Sequence, residues 1–344
     1  MRKTAAILLC ALCLAAGGCT REDSGAYDRG MVALQQADFD TAMEEFQTAA
    51  NTDDRAAEAY RGEGFIYLRR QDYEHAITLF SLSLDAMKHS NREFRRDVLF
   101  YQAEAYIGNG QNSEAEAIYT ELIEEEKDAQ AYFLRGNSKL LSGDTEGAGE
   151  DFEGALEQEN SYDMYLQIYR AFAEVNREAD GADYLERALA LEPADGDDYY
   201  LRAQVCYYLG DYEQAREGLS TAAGEGNTEA ALMLGSLYLE TGDVAGARSL
   251  YQDFLSQEEQ MAAAYNGLAL CDIQEQDYES ALREIRKGID CQDAAVMQDL
   301  LFNEIVVYEY QLDFQTARTK MEEYLRLYPE DTKAQRENEF LQSR

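Results

Sequence analysis

An all-α chain built of stacked two-helix repeats is the fold class that this sequence predicts, and three observations predict it. The first is a segment that the chain keeps rewriting, clearest as Gly210, Asp211, Tyr212 and Ala215. Its alanine recurs at Ala42, Ala76, Ala115, Ala148, Ala182 (or Gly181, one earlier), Ala215, Ala247, Ala281 and Ala317. The steps run from 32 to 36 residues except for one of 39 between Ala76 and Ala115. The second is composition: 2 prolines and 24 glycines in 344 residues, with Ala, Leu, Glu and Gln abundant, favour helix. The third is apolar spacing of the helical kind on both sides of each rewritten turn.

Residues 1–18 stand apart from that pattern. Arg2 and Lys3 precede an apolar run from Ala5 to Ala16, and Gly17, Gly18 and Cys19 follow. A charged start, about a dozen apolar residues and a small-residue exit describe a secretory signal, too short to span a membrane. Residues 14–19 resemble a bacterial lipobox, with Ala16 where leucine is commonest. That resemblance implies cleavage before Cys19, lipid on its thiol, and an extracytoplasmic protein anchored to a bacterial cell membrane. Plain signal cleavage is the alternative. Residues 19–22 then form a short linker.

From there the spacing divides the chain into nine repeats, at about 23–56, 57–90, 96–129, 129–162, 162–195, 196–229, 228–261, 262–295 and 298–331. In the repeat 196–229, a first helix carries Tyr199, Ala203 and Cys206 on one face. Gly210 supplies the left-handed stop. Asp211 caps the second helix, where an acid also suits the positive end of the helix dipole. Tyr212, Ala215, Leu219 and Ala222 mark that helix's buried face, and Ala215 is small because the two helices cross there. The other repeats follow suit. Gly64, Gly136 and Gly235 are small residues at first-helix crossings, with Tyr169 an outlier. Ala76, Ala148, Ala247, Ala281 and Ala317 are the matching second-helix positions. Asp38, Asp72, Asp144, Asp211, Asp243, Asp277 and Asp313 are the expected caps, and Pro193 and Pro329 fall just beyond second helices, where proline does no harm. Residues 332–344 read as a closing helix with Ala334, Phe340 and Leu341 turned inward.

These positions resemble the tetratricopeptide repeat (TPR), whose pattern runs Gly/Ala, Tyr, Gly, Tyr, Ala, Phe/Tyr, Ala, Pro over two antiparallel helices. The repeats 57–90 (Gly64, Tyr67, Tyr73, Ala76, Phe80) and 129–162 (Tyr132, Gly136, Gly143, Ala148, Phe152, Ala155) match it closely. Tyrosines stand where the family often has tryptophan, which this chain lacks. The resemblance covers residues 23–331 and implies a right-handed α-solenoid, a superhelix of about nine TPR-like repeats. It departs most in 162–195, where Tyr169 and Asn176 replace small residues.

Charge and chemistry narrow the function. With 30 basic and 68 acidic residues the net charge is −38, a field that repels phosphate backbones and argues against nucleic acid as a partner. It favours solubility and weak self-association, with a specific basic partner as the other reading. A basic insertion at 88–96 interrupts the acidity; it is read either as a contact for an anionic surface or as a longer loop paired with neighbouring acids. Beyond the signal and Cys19, the cysteines Cys206, Cys271 and Cys291 are odd in number and fit small core residues better than disulfides. Two histidines, His75 and His89, form no metal motif, and no hydrolase, P-loop or dinucleotide signature occurs. Glu124–Glu126 and Asp195–Asp198 lack the alternating spacing of a calcium loop. The expectation is a non-enzyme without cofactor or metal.

The resemblance implies instead a concave groove, lined by first helices, that receives a protein or peptide. Mapped onto this chain, its candidate contacts are Arg61, Phe65 and Arg69, then Phe100, then Phe133 and Asn137. The later repeats contribute Arg170, Tyr200 and Tyr207. Aromatic rings with a few arginines are the residue types that anchor interfaces, and burial against the next repeat is the alternative for each. A clamp for a C-terminal carboxylate is not implied, because Asn137 has no companion lysines. The predicted function is therefore a lipid-anchored envelope scaffold binding protein segments; the alternative is capture of a glycan or small ligand by its many tyrosines.

Overall fold

The computed structural model describes residues 25–88, 91–257 and 261–344. The signal segment, Cys19, the linker and His89 lie outside the described residues. Nineteen helices are described. In the first repeats these are α1 (Ala26–Gln35), α2 (Phe39–Asn51), α3 (Ala56–Arg69), α4 (Tyr73–Asp85), α5 (Arg92–Gly108) and α6 (Asn112–Glu125). Next come α7 (Ala129–Leu141), α8 (Thr145–Gln158), α9 (Tyr162–Glu174), α10 (Glu178–Ala188), α11 (Gly196–Tyr208) and α12 (Tyr212–Gly224). The last are α13 (Thr228–Glu240), α14 (Val244–Gln257), α15 (Ala262–Gln274), α16 (Tyr278–Asp290), α17 (Ala294–Tyr310), α18 (Phe314–Leu327) and α19 (Thr332–Gln342). No strand occurs among the described residues.

The helices separate into two compact units that meet in sequence at Leu185 and Glu186. α1 packs on α2, α3 on α4, α5 on α6 and α7 on α8 in the first unit, α11 on α12, α13 on α14, α15 on α16 and α17 on α18 in the second, and each of these pairs packs on the helix that follows it. First helices also touch first helices: α1 on α3, α3 on α5 and α7 on α9 in the first unit, α13 on α15 and α15 on α17 in the second. Those rows decide which side chains a partner can reach.

Every expected acid cap is made. Asp38, Asp72, Asp144, Asp211, Asp243, Asp277 and Asp313 each accept a hydrogen bond from the backbone N–H three residues on, at 2.9–3.4 Å. The residue before each cap takes the left-handed conformation. In four of the nine repeats that residue is glycine (Gly110, Gly143, Gly210, Gly242); in five it is Ala37, Gln71, Asn176, Gln276 or Leu312.

Buried aromatic rings fill slots left by small residues. Phe46 lies between Gly30 of its own repeat and Gly62 of the next, and a Cβ at either would sit 2.7 Å from its ring. A Cβ on Gly64 would meet Phe80 at 2.7 Å and one on Gly136 would meet Phe152 at 2.8 Å, while Gly235 and Gly267 face Tyr251 in the same way. Ala76, Ala148, Ala215, Ala247, Ala281 and Ala317 are fully buried. In 162–195 the sizes are exchanged: the large Tyr169 on α9 is met by Gly181 and not by Ala182, and a Cβ added to Gly181 would lie 3.1 Å from the tyrosine ring. That settles the fifth rung as Gly181.

Two expectations need correction. Residues 92–96 of the basic insertion are not loop but open α5, a helix of 17 residues. Phe340 does not turn inward with Ala334 and Leu341. It stays 41% exposed, edge-on to Phe314 at 6.5 Å. Cys206 and Cys271 are buried thiols and Cys291 is half-buried.

Candidate partner-binding face

The first helices carry the candidate contacts, and the structure sorts these by what already holds them. Arg61 on α3 is a strut rather than a free anchor. Its guanidinium pairs with Asp97 of α5, lies 4.9 Å over the Phe94 ring, and hydrogen-bonds Tyr27 of α1. Phe133 is also internal: it is 8% exposed and packs on Phe152 at 5.9 Å. Removing either would damage the repeat itself, so both leave the set of partner contacts. Leu166 on α9 and Gln204 on α11, also first helices, are buried as well.

The remaining positions stay accessible to different degrees. Phe65 is half-buried, edge-on to Tyr101 at 5.6 Å, and borders a dent of about 10 Å³ with Met31 and Leu34, room for about one water. Arg69 is exposed near Glu104, whose carboxyl is raised by burial and lowered by that arginine. Phe100 is half-buried on Tyr119 at 6.1 Å, with Arg96 over its ring at 5.1 Å. Arg170 is exposed on α9. Tyr200 is half-buried against the core of α11–α13, and Tyr207 donates its hydroxyl hydrogen to Glu240 at 2.9 Å.

Asn137 is the exception on this face. Its Oδ1 is shielded from solvent and has no hydrogen-bond partner. A buried acceptor without a donor costs about 1–3 kcal/mol, and because it is shielded it is a cost carried by the fold and not a contact open to a partner.

Nearby charges are spoken for. Asp151 of α8 is buried and takes a two-pronged hydrogen bond from Arg135 at 2.6 and 2.9 Å, with the Lys139 ammonium at 2.9 Å. The arginines of the basic insertion pair with acids of the next helix and its end: Arg92 with Glu126 at 3.1 Å, Arg95 with Glu125 at 2.7 Å, Arg96 with Asp128 at 2.6 Å. Of the two readings of that insertion, internal pairing is therefore the one these contacts support. Glu125 and Glu126 are occupied in the same way, and Asp195 caps α11. Among the described residues no group of three or more His, Cys, Asp or Glu is placed to hold a metal ion.

Sequence reasoning missed Glu240, Tyr101, Glu63 and the Asp151 pair. A signal for some of them existed. Arg61 and Asp97 are 36 residues apart and Tyr207 and Glu240 are 33 apart, about one repeat, so complementary side chains offset by the period meet across neighbouring repeats.

Comparison with known proteins agrees with this architecture. A family model described as tetratricopeptide repeat matches residues 27–88, 101–163 and 232–295, more than half of the chain. No curated protein matches. Among solved structures, the chain is similar to yeast Tom70, at 14% identity over 92% of this chain and 88% of that one, with a TM-score of 0.44. A tetratricopeptide repeat protein from Parabacteroides merdae shares 16% identity over 81% of this chain and 97% of that chain, with a TM-score of 0.44. YrrB, described as a TPR protein with an unusual peptide-binding site, shares 24% over 51% of this chain and 92% of that chain, with a TM-score of 0.35.

Proposed function

Because the chain belongs to the tetratricopeptide repeat family, we propose that it is a non-enzymatic scaffold that holds a protein or peptide segment against its first helices, on a bacterial cell envelope and tethered by lipid on Cys19. The fold is typical of protein–protein interaction scaffolds. The observation that carries the binding reading is the pair of half-open rings on neighbouring first helices, Phe65 on α3 and Phe100 on α5, with exposed Arg69 on α3. Phe65 and Phe100 give that segment half-buried rings, and Arg69 and Arg170 give it exposed positive charge.

A peptide library selected on the full chain tests the reading. Selected peptides are expected to bind Phe65→Ala and Phe100→Ala about tenfold more weakly than wild type, the worth of one good contact at an interface. Equal affinity for all three proteins removes the first-helix face as the binding surface.

The envelope location is supported by the charged start, the apolar run and the Gly17–Gly18–Cys19 exit. Metabolic labelling with a fatty acid should mark the wild-type protein and be lost in Cys19→Ala; labelling of both would refute the anchor. A glycan remains the second reading, favoured by the exposed tyrosines Tyr208, Tyr212 and Tyr310.

A further inference from the structure

Three tyrosines of one repeat gather on a carboxylate of the next. Tyr207 and Tyr208 end α11, Tyr212 begins α12, and Glu240 ends α13. The Tyr207 hydroxyl donates to Glu240 Oε2 at 2.9 Å and the Tyr212 hydroxyl donates to Oε1 at 3.3 Å. The Tyr207 ring is flanked by Tyr208, with centroids 5.8 Å apart at 74°, and by Tyr212, at 5.6 Å and 48°.

Core packing does not account for this cluster. Tyr208 and Tyr212 are 40% and 39% exposed, so much of their ring area stays in water. Among the described residues, Glu240 forms no ion pair with a lysine or arginine. A carboxylate offers about four acceptor positions, and two hydroxyls leave the others open. Both α11 and α13 end here with the negative ends of their dipoles, and the positive start of α12 is capped by the Asp211 carboxylate. The surrounding chain adds more of the same sign, since residues 196–240 contain eight acids and two arginines. Arg216 is paired with Glu213, and Arg202 donates to the Leu191 carbonyl.

We propose that Tyr207, Tyr208, Tyr212 and Glu240 form a receptor for a cationic side chain, and that the segment this protein binds is a basic peptide presenting lysine or arginine there. The proposal rests on the scaffold reading and deepens it by fixing the partner's charge. Aromatic rings attract a cation through their quadrupole, and the carboxylate adds a charge-assisted hydrogen bond. The two hydroxyls hold that carboxylate in place without neutralising it. Tyr207 is suited to the task because its hydrogen bond to Glu240, and then burial, push its phenol up to about 12, so it remains a donor at neutral pH.

The test is fluorescence anisotropy of the full chain with a labelled peptide of arginines spaced by glycine and serine, in about 150 mM salt to screen the diffuse field. The same peptide with citrulline in place of arginine keeps the shape without the charge. The arginine peptide is expected to bind at least about tenfold tighter than the citrulline form, and Tyr208→Ala and Glu240→Gln should each weaken it about tenfold. Glu229→Gln, which removes an equal charge from an exposed position of α13, should change it less than about twofold. Thermal melting confirms that each variant is folded, and Tyr208→Leu keeps the bulk without the aromatic ring if the alanine variant is not. Equal losses in Glu240→Gln and Glu229→Gln would overturn the proposal in favour of diffuse attraction. So would unchanged binding by Tyr208→Ala, no binding by wild type, or full competition by tetramethylammonium, which would make this a site for small cations. Phe65 and Phe100 test the scaffold reading separately, so a loss there with none here retains the scaffold and removes the cation receptor.

Discussion

Glu63 sits on α3 between two glycines and is only 5% exposed, an awkward place for a carboxylate. Burial pushes its pKa from the usual 4.5 up to about 7, against a smaller opposing effect from a hydrogen bond with Gln47. Glu309 on α17 is held in the same direction, also to about 7, by burial and then by Glu337. A carboxyl whose folded pKa is raised binds its proton more tightly in the folded state. The stability it adds is fully present below about pH 4.5 and is lost as the pH rises through about 7. Between those values the protein should therefore become less stable with rising pH, before any contribution from its overall negative charge. Glu63→Gln removes one titrating group and should be about 2 kcal/mol more stable than wild type at pH 8, with little difference at pH 4.5. Denaturant unfolding at the two pH values checks this, and identical pH dependence in the two proteins would acquit Glu63.

Among the elements, the turns are the most informative. The sequence showed the aspartate caps because an acid recurs with the period, in five of seven cases before an aromatic, and all seven hydrogen bonds are present. It did not show that the residue before the cap is left-handed in every repeat, because only four of the nine are glycine. Leu312, at φ 62° and 73% exposed, bears that conformation without burial to offset it. A non-glycine residue there costs roughly 1–2 kcal/mol, part of which glycine returns through the greater freedom of its unfolded chain. Leu312→Gly is expected to raise stability by about 0.5–1 kcal/mol, measured by thermal unfolding. No gain would mean that the leucine has contacts at the turn worth as much as its strain. The helix at 92–96 was not legible for a related reason: a run of charged residues carries no apolar periodicity, yet Asn91 caps it, and the pairing of its arginines with neighbouring acids is as expected.

At the scale of the molecule, architecture was legible and the binding face was only partly so. Small residues such as Gly64 and Ala148 have few tolerable replacements where a ring or a helix approaches closely, so their spacing exposes the repeat. A first-helix aromatic has no such signature. Phe133 and Phe100 occupy equivalent positions, three residues before the small residue at the crossing, yet one is sealed against Phe152 and the other remains half-buried beside Tyr119 and under Arg96. Which of the two occurs depends on the neighbouring repeat's side chains, and those follow no period. Arg61 shows the same dependence, because its partner Asp97 arrives from a helix lengthened by the insertion.

The turn described above bears also on how such a chain can change over generations. Its left-handed residue and its capping acid both lie inside one repeat, so a crossover that adds or deletes a whole period carries the joint along with it. Genetic recombination between neighbouring copies could thus alter the length of the protein in steps of about 34 residues without a new connection having to be invented. The cation receptor would not be inherited so easily. Tyr207 and Glu240 come from different repeats, and a breakpoint between them would separate ring from carboxylate while leaving both helices intact.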